Sequence, residues 1–270
     1  SLKDQKIAIL GGGSAGLGIA DYILHALQDL GLSQEEAYKR FFIVDIHGLL
    51  HTGQTIQDPN QKRYAQHQEQ IKQWKVKNLQ NITLQEVVEN AHPSILLGVS
   101  AQPKVFTQQI IETMCQYCDR PIIFPLSNPT SKAEADPKDL IAWSKGKAIV
   151  ATGSPARSVE YEKKHYPIAQ CNNVYIFPGV GLGIIASKAR IVDDKMFLIA
   201  AEVLAEHSPI LNDPTQSLFP SLKNLRSVAR LVGIEIVKYA FSKDIAQVPK
   251  QDPEALVDKN IWFPTYRSYL

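Results

Sequence analysis

Gly11, Gly13 and Gly16 stand in the pattern G-x-G-x-x-G within "LGGGSAGLGIA" (10–20), straight after the apolar run "KIAIL" (6–10). That spacing suits a dinucleotide cradle. The first glycine permits a tight turn, the second lets the backbone approach a pyrophosphate, and the third lets a helix pack closely on the strand before it. A helix opening at Ala15, just after Ser14, adds free N–H groups and a positive dipole end toward the phosphates. Asp45 ends a second apolar run, "FFIVD" (41–45), where a carboxylate accepts hydrogen bonds from the adenosine ribose. The acid comes later than the usual ~20 residues after the glycines, because "LGLSQEEAYKR" (30–40) lengthens the crossover. Asp45 also repels a 2′-phosphate, which favours NAD over NADP. Lys62 and Arg63 in "QKRYAQH" (61–67) could fold back toward that ribose, although a short basic pair is more commonly a solvated helix face.

Other reactive side chains give weaker patterns. The amides of Asn128, Asn172 and Asn173 both donate and accept, and suit a carboxamide or a small dicarboxylate. Asp193 and Asp194 resemble a paired-carboxylate site, but acids opening a helix relieve its dipole and cap its free N–H groups, and that role is expected here. Cys115 and Cys118 form one C-x-x-C with no second pair, so helix-surface or packing positions are expected for them over a redox or zinc role. The seven histidines show no metal-ligand spacing, and Lys104, Lys132 and Lys188 read as solvated or phosphate-proximal groups.

The elements that must position these residues follow an alternating rhythm. Apolar runs at 6–10, 41–45, 94–99, 121–126 and 147–152 are separated by helical patterns at 15–29, 83–91, 104–118 and 132–144. Near-continuous apolar strands of this kind belong to a parallel sheet covered on both faces. With the glycine turn, they give an α/β fold, a Rossmann-like doubly wound parallel sheet. From about residue 180 the strand signals stop, and long amphipathic helices are expected over 193–207 and 224–242, joined by the loop-like "HSPILNDPTQSLFPS" (207–221). The expected division is a dinucleotide-binding domain over 1–178 and a helical C-terminal extension over 179–270. Ligands in such sheets bind outside the carboxyl ends of the strands. That places "GVSAQ" (98–102), "SNPTSKAEA" (127–135) and "TGSP" (152–155) at the site, with "QCNNVYIFPGVGLG" (170–183) further along.

Composition sets the outer bounds. The chain of 270 residues is 44% hydrophobic and carries a net charge of +2 from 29 basic and 27 acidic residues. No basic stripe supports a nucleic-acid partner, and the longest apolar stretches are broken by Pro or Gly, which argues against a membrane partner. Three cysteines in a chain that needs no disulfide staples point to a reducing, cytoplasmic setting.

Five segments in this order, "GGGSAGLGIA", "VDIHGLL", "LSNPTSKAEA", "ATGSP" and "NNVYIFPGVGLG", resemble the NAD-binding domain of malic enzymes over nearly the whole chain. That family oxidises L-malate with NAD or NADP and decarboxylates it to pyruvate with Mg²⁺ or Mn²⁺. The resemblance implies a cofactor site of Gly11, Gly13, Ser14, Ala15, Gly16, Asp45, Ile46, Val99, Ser100 and Asn128, with Asn128 and Asn173 toward malate. It also implies a homo-oligomer, a dimer or tetramer, in the full-length enzyme. In the family the metal carboxylates, the catalytic lysine and the tyrosine acid all precede the glycine fingerprint. Lys3, Asp4 and Lys6 match none of those motifs, so no catalytic residue and no metal ligand is assigned in this chain. The expected role is a cofactor-binding part of a malic enzyme that does not turn over malate alone. An apolar face on its helical tail is then expected to pack on the missing half. Malolactic enzymes share these motifs, and "SAQPK" (100–104) departs from the more glycine-rich family pattern. A stand-alone dinucleotide-binding sensor is the alternative from another class.

Overall fold

Buried apolar runs make the strands, and short polar caps start the helices between them. The computed structural model describes residues 1–264. Strands β1 (Ile7–Leu10), β2 (Phe41–Asp45) and β3 (Gly48–Leu49) come first, followed by β4 (Ile95–Gly98), β5 (Ile122–Pro125) and β6 (Ile149–Thr152). After them come β7 (Val159–Tyr161), β8 (Lys164–Tyr166) and β9 (Ala169–Gln170). Seven strands form one sheet in the order β3-β2-β1-β4-β5-β6-β9, parallel except for the β2–β3 pair, while β7 and β8 form a separate antiparallel hairpin.

Two apolar layers cover the sheet. Ile7, Ile9, Phe41 and Ile43 face one layer with Leu17, Leu24 and Leu27 of the helix Ser14–Asp29. Ala8, Leu96 and Ile123 face the other, with Val87 and Val88 of Leu84–Ala91 and Ile110, Ile111 and Met114 of Gln108–Tyr117. Each fully buried Ile, Leu or Phe contributes about 1.5–3 kcal/mol. Alternate strand residues therefore feed opposite layers, which is the signature of a doubly wound sheet.

Helix starts follow local chemistry. Thr83 and Glu86 form a capping box before Leu84–Ala91. The helical pattern expected from 104 begins at Gln108 because Thr107 caps it, with Phe106 wholly buried before the cap. The one expected from 132 begins at Pro137, where proline takes the first helical position and Asp136 caps.

The chain divides into two compact units, Ser1–Cys171 and Asn172–Leu270. The expected boundary at 178 lies within the helix Phe177–Ser187. The second unit is helical, with Asp194–Glu206 and Leu225–Ser242 packed beside Phe177–Ser187 around Met196, Val203, Val232 and Ile236, while Leu256 and Val257 of Pro253–Asn260 pack against Ala186, Ile234 and Val237. Asp193 caps its helix, as expected, by accepting from the Met196 N–H at 3.3 Å, and its other oxygen accepts from the Tyr239 hydroxyl at 2.7 Å. That hydrogen bond pushes the Tyr239 hydroxyl up to about 12. Phe177–Ser187 has three internal glycines, and no helix was expected there from the sequence. It is helical because Gly179 and Gly183 let the helix Leu225–Ser242 approach: a Cβ on either would stand 2.6 and 2.7 Å from the Cβ atoms of Val232 and Ile236. Exposed apolar side chains of this unit include Phe177, Ile185, Trp262 and Phe263. Among the described residues no helix is long and apolar enough to cross a membrane.

Candidate functional site

Strand register brings the candidate residues together. Leu10 of β1 pairs with Val44 of β2 on one side and with Gly98 of β4 on the other. The chain winds outward from β1 to β2 and then returns past β1 to β4, which makes a switch point with a crevice at the carboxyl ends. Gly11–Gly13, Asp45 and Val99–Ser100 therefore leave the sheet side by side.

The three fingerprint glycines meet different surroundings. Gly11 has φ +118°, and a Cβ there would stand 2.6 Å from the Val99 carbonyl oxygen. A Cβ on Gly16 would stand 1.9 Å from the Gly11 carbonyl oxygen, so only glycine lets the helix start this close to the turn. Gly13 differs, because a Cβ on it would meet nothing within 4 Å. Gly13, Ser14 and Ala15 are exposed at the opening of the helix Ser14–Asp29, whose first-turn N–H groups have no acceptor within the helix. No acidic side chain lies in that first turn. The helix thus offers an anion an unneutralised positive end.

Asp45 sits at the end of β2, half-buried, beside the exposed Ile46. Its Oδ2 accepts a hydrogen bond from the Gln61 amide at 2.8 Å, and the same amide donates to the Gly12 carbonyl at 3.0 Å. Gln61 thus bridges the glycine turn and the acid from the short helix Pro59–Lys62. The neighbouring cation points elsewhere: Arg63 pairs with Asp21 at 3.2 Å, and the Tyr64 hydroxyl donates to the same carboxylate at 2.6 Å. Burial opposes the Arg63 charge, but Asp21 outweighs it and holds the guanidinium above its ordinary value. Burial pushes the Tyr64 hydroxyl up, and the bond to Asp21 adds to that. Lys62 is exposed. Gln61 carries no charge and sits in no motif, so its sequence gives no sign of this bridging position.

Beyond β4, the Val99 N–H donates to the Leu10 carbonyl at 2.9 Å, which fixes the loop against the glycine turn. The Ser100 N–H and hydroxyl both donate to Glu134 Oε1, at 2.9 and 3.0 Å. Asn128 follows β5 and is exposed, joined to Pro129 by a cis peptide bond. Its side-chain oxygen accepts from the Ser154 hydroxyl, so the loops after β5 and β6 are linked. A cavity of about 150 Å³ opens at the carboxyl ends of β5 and β6, lined in part by Lys104, Thr130, Ser131, Asp136 and Ser154. Asn173 lies in the second unit, exposed, in a short 3-10 turn that Asn172 caps through the Val174 N–H at 2.9 Å.

The cysteines lie apart from these loops or within their packing. Cys115 packs half-buried against the sheet core, and burial raises its thiol. Cys118 is the C-terminal cap residue of the same helix, and all three cysteines are free. Burial pushes the Cys171 thiol up to about 12. Among the described residues no three His, Cys, Asp or Glu side chains gather as metal ligands.

Comparison with known proteins adds the following. A family profile described as "Malic enzyme, NAD binding domain" matches residues 1–241. The NAD-dependent malic enzyme of Sodalis glossinidius is 45% identical over 269 residues, which cover 99% of this chain and 47% of that protein. The corresponding protein of Pectobacterium atrosepticum is 46% identical over 273 residues, again 99% of this chain and 47% of its own length. The chain therefore spans about half the length of the curated relatives it matches. Among solved structures, the Entamoeba histolytica malic enzyme superposes with a TM-score of 0.72 at 20% identity, over 96% of this chain and 47% of that one. The Pyrococcus horikoshii malic enzyme gives 0.67 at 22% identity, over 96% and 53%. At those identities the structural likeness speaks for the fold.

Proposed function

The chain belongs to the malic enzyme NAD-binding domain family, and from that premise we propose that its functional site is the crevice beyond β1, β2 and β4, where it binds NAD. One observation carries the reading: of the three fingerprint glycines, Gly11 and Gly16 are closed in by backbone, while Gly13 opens onto free space at the start of a helix. That is the contour a pyrophosphate needs, with close backbone approach and unpaired N–H groups behind it. In this reading Ser14 and Ala15 donate through their N–H groups, and Asp45 accepts from the adenosine ribose with Ile46 alongside. Val99, Ser100 and Asn128 line the other half of the cofactor.

NAD is favoured over NADP by the local charges. A 2′-phosphate beside Asp45 meets a carboxylate, the neutral Gln61 amide and an arginine already paired with Asp21. When bound, the nicotinamide ring supplies the acceptor for a hydride from a hydroxyl-bearing carbon. For the whole protein we propose oxidative decarboxylation of L-malate to pyruvate in a homo-oligomer, with Asn128 and Asn173 toward the substrate. The Mg²⁺ or Mn²⁺ ligands, the base and the acid are placed outside this chain, which alone binds NAD without oxidising malate.

Isothermal titration of the purified chain with NAD and with NADP tests this reading. Saturable one-to-one binding of NAD, weaker binding of NADP, and no malate-dependent NADH formation are the expected results. Absence of NAD binding, or NADH formed by the chain alone, contradicts it.

A further inference from the structure

The loops that follow β4 and β5 are held together by one buried carboxylate, that of Glu134, which is 0% exposed. Its Oε1 accepts from the Ser100 N–H at 2.9 Å, the Ser100 hydroxyl at 3.0 Å and the Ser127 hydroxyl at 2.6 Å. Its Oε2 accepts from the Ser127 N–H at 3.3 Å. The Ser127 hydroxyl in turn accepts from the Ala101 N–H at 2.9 Å, which pins Ala101 in a left-handed conformation at φ 56°. Space for the carboxylate comes from Gly98, where a Cβ would stand 2.6 Å from the Glu134 Cδ.

An acid is a costly way to fill a buried space. Taking a carboxylate out of water is unfavourable unless hydrogen bonds replace its hydration, and no ion pair joins Glu134 to a basic side chain among the described residues. All four donors come from two loops, Ser100 on one and Ser127 on the other. An acceptor-only group can gather such donors, and an apolar side chain of equal size cannot. The arrangement therefore sets the relative position of Val99–Ala101 and Ser127–Asn128.

Topology says which half of a dinucleotide those loops serve. The glycine turn after β1 takes the pyrophosphate and Asp45 after β2 takes the adenosine ribose. The rest of the molecule then extends to the opposite neighbours of β1, which are β4 and β5. We propose that Glu134 is a positioning residue for the nicotinamide ring of the cofactor, acting through Ser100 and Ser127 and leaving the ADP-ribose part untouched. This rests on the cofactor reading above.

The test compares NAD with ADP-ribose, the same molecule without the nicotinamide ring, by isothermal titration of wild type and Glu134→Gln. A glutamine keeps one acceptor oxygen but puts an NH₂ group against the Ser127 N–H or the Ser100 donors, so the strap loosens. Glu134→Gln is expected to weaken NAD about tenfold or more, equivalent to about 1.4 kcal/mol, while ADP-ribose stays within about twofold. Ser127→Ala, which removes the hydroxyl between Ala101 and Glu134, is expected to show the same selectivity with a smaller loss, and it serves if Glu134→Gln fails to fold. Equal weakening of both ligands assigns Glu134 a general structural role and overturns the proposal, as does no change in either. If wild type binds ADP-ribose as tightly as NAD, the loops add nothing and the proposal falls alone. If wild type binds neither, the cofactor reading itself fails and takes the proposal with it.

Discussion

Adding one methyl group at Gly13 and the same group at Gly16 separates ligand approach from packing. At Gly13 a Cβ meets nothing within 4 Å, and the backbone φ of −81° is open to alanine. Gly13 is the N-cap of the helix Ser14–Asp29. Alanine is a poorer cap than glycine by somewhat under ~1 kcal/mol, while losing glycine's unfolded-state freedom returns about 0.4–1 kcal/mol. Stability of Gly13→Ala should therefore stay within about 1 kcal/mol of wild type. Cofactor binding should not, because the methyl group would stand where the proposed pyrophosphate site meets the backbone. Losing one hydrogen bond to a charged group costs about 1.5–3 kcal/mol, or roughly tenfold to 150-fold in Kd. Gly16→Ala reverses the pattern, since its Cβ would stand 1.9 Å from the Gly11 carbonyl oxygen. Overpacking of that kind costs about 1–3 kcal/mol or more, and for a domain of this size each kcal/mol lowers Tm by roughly 2–4 °C. Thermal melts of the free proteins paired with NAD titrations read both effects. Wild-type NAD affinity in Gly13→Ala, or an unchanged melting temperature in Gly16→Ala, refutes the reasoning.

Two further perturbations test the scaffold. Buried His51 is held neutral, its Nε2 donating to the Leu79 carbonyl at 2.8 Å and its Nδ1 accepting from the Gly53 N–H at 3.1 Å. Burial lowers its pKa below 6.5 despite the Leu79 bond, so at pH below 6.5 the unfolded chain binds a proton that the folded chain refuses. The His51 contribution is full above that pH and declines as pH falls toward the folded value. Denaturant titrations should show a shallower loss between pH 7 and pH 5 in His51→Gln than in wild type, and equal slopes count against it. In the second unit, Gly183→Ala drives a methyl group to 2.7 Å from the Ile236 Cβ, with an expected cost of about 1–3 kcal/mol. Gly181→Ala in the same helix meets nothing within 4 Å and should gain up to about 1 kcal/mol from helix propensity. A urea midpoint that moves in the same direction for both contradicts the close helix approach.

Five strands of the central sheet were legible because they are apolar along most of their length, whereas β3 and β9, of two residues each, carry no pattern of their own. "KIAIL", "FFIVD" and "SILLGV" lie between recognisable caps and turns, and β1, β2 and β4 fall within them. The hairpin of β7 and β8 gave no such signal. It includes "KHY", with Lys164 and His165 exposed, so its pairing leaves little hydrophobic trace. The helix Phe177–Ser187 was hidden by its own glycines, which read as breakers and act as packing contacts. In the candidate site, the fingerprint and Asp45 announce themselves by residue type and position. Gln61 and Glu134 do not, because each works through at least one partner on another strand's loop. Gln61 joins Gly12 and Asp45, and Glu134 joins Ser100 and Ser127. A neutral amide or a loop acid acquires such a role only once the sheet has set its neighbours in register.

A crystal structure of the chain grown with NAD tests the central claim most directly. The account predicts pyrophosphate oxygens within hydrogen-bond distance of the first-turn N–H groups at Ser14 and Ala15. It also predicts adenosine ribose hydroxyls on Asp45 and the nicotinamide half along Val99–Ser100. Cofactor bound elsewhere on the chain, or a crevice at Gly13 left empty under saturating NAD, contradicts it.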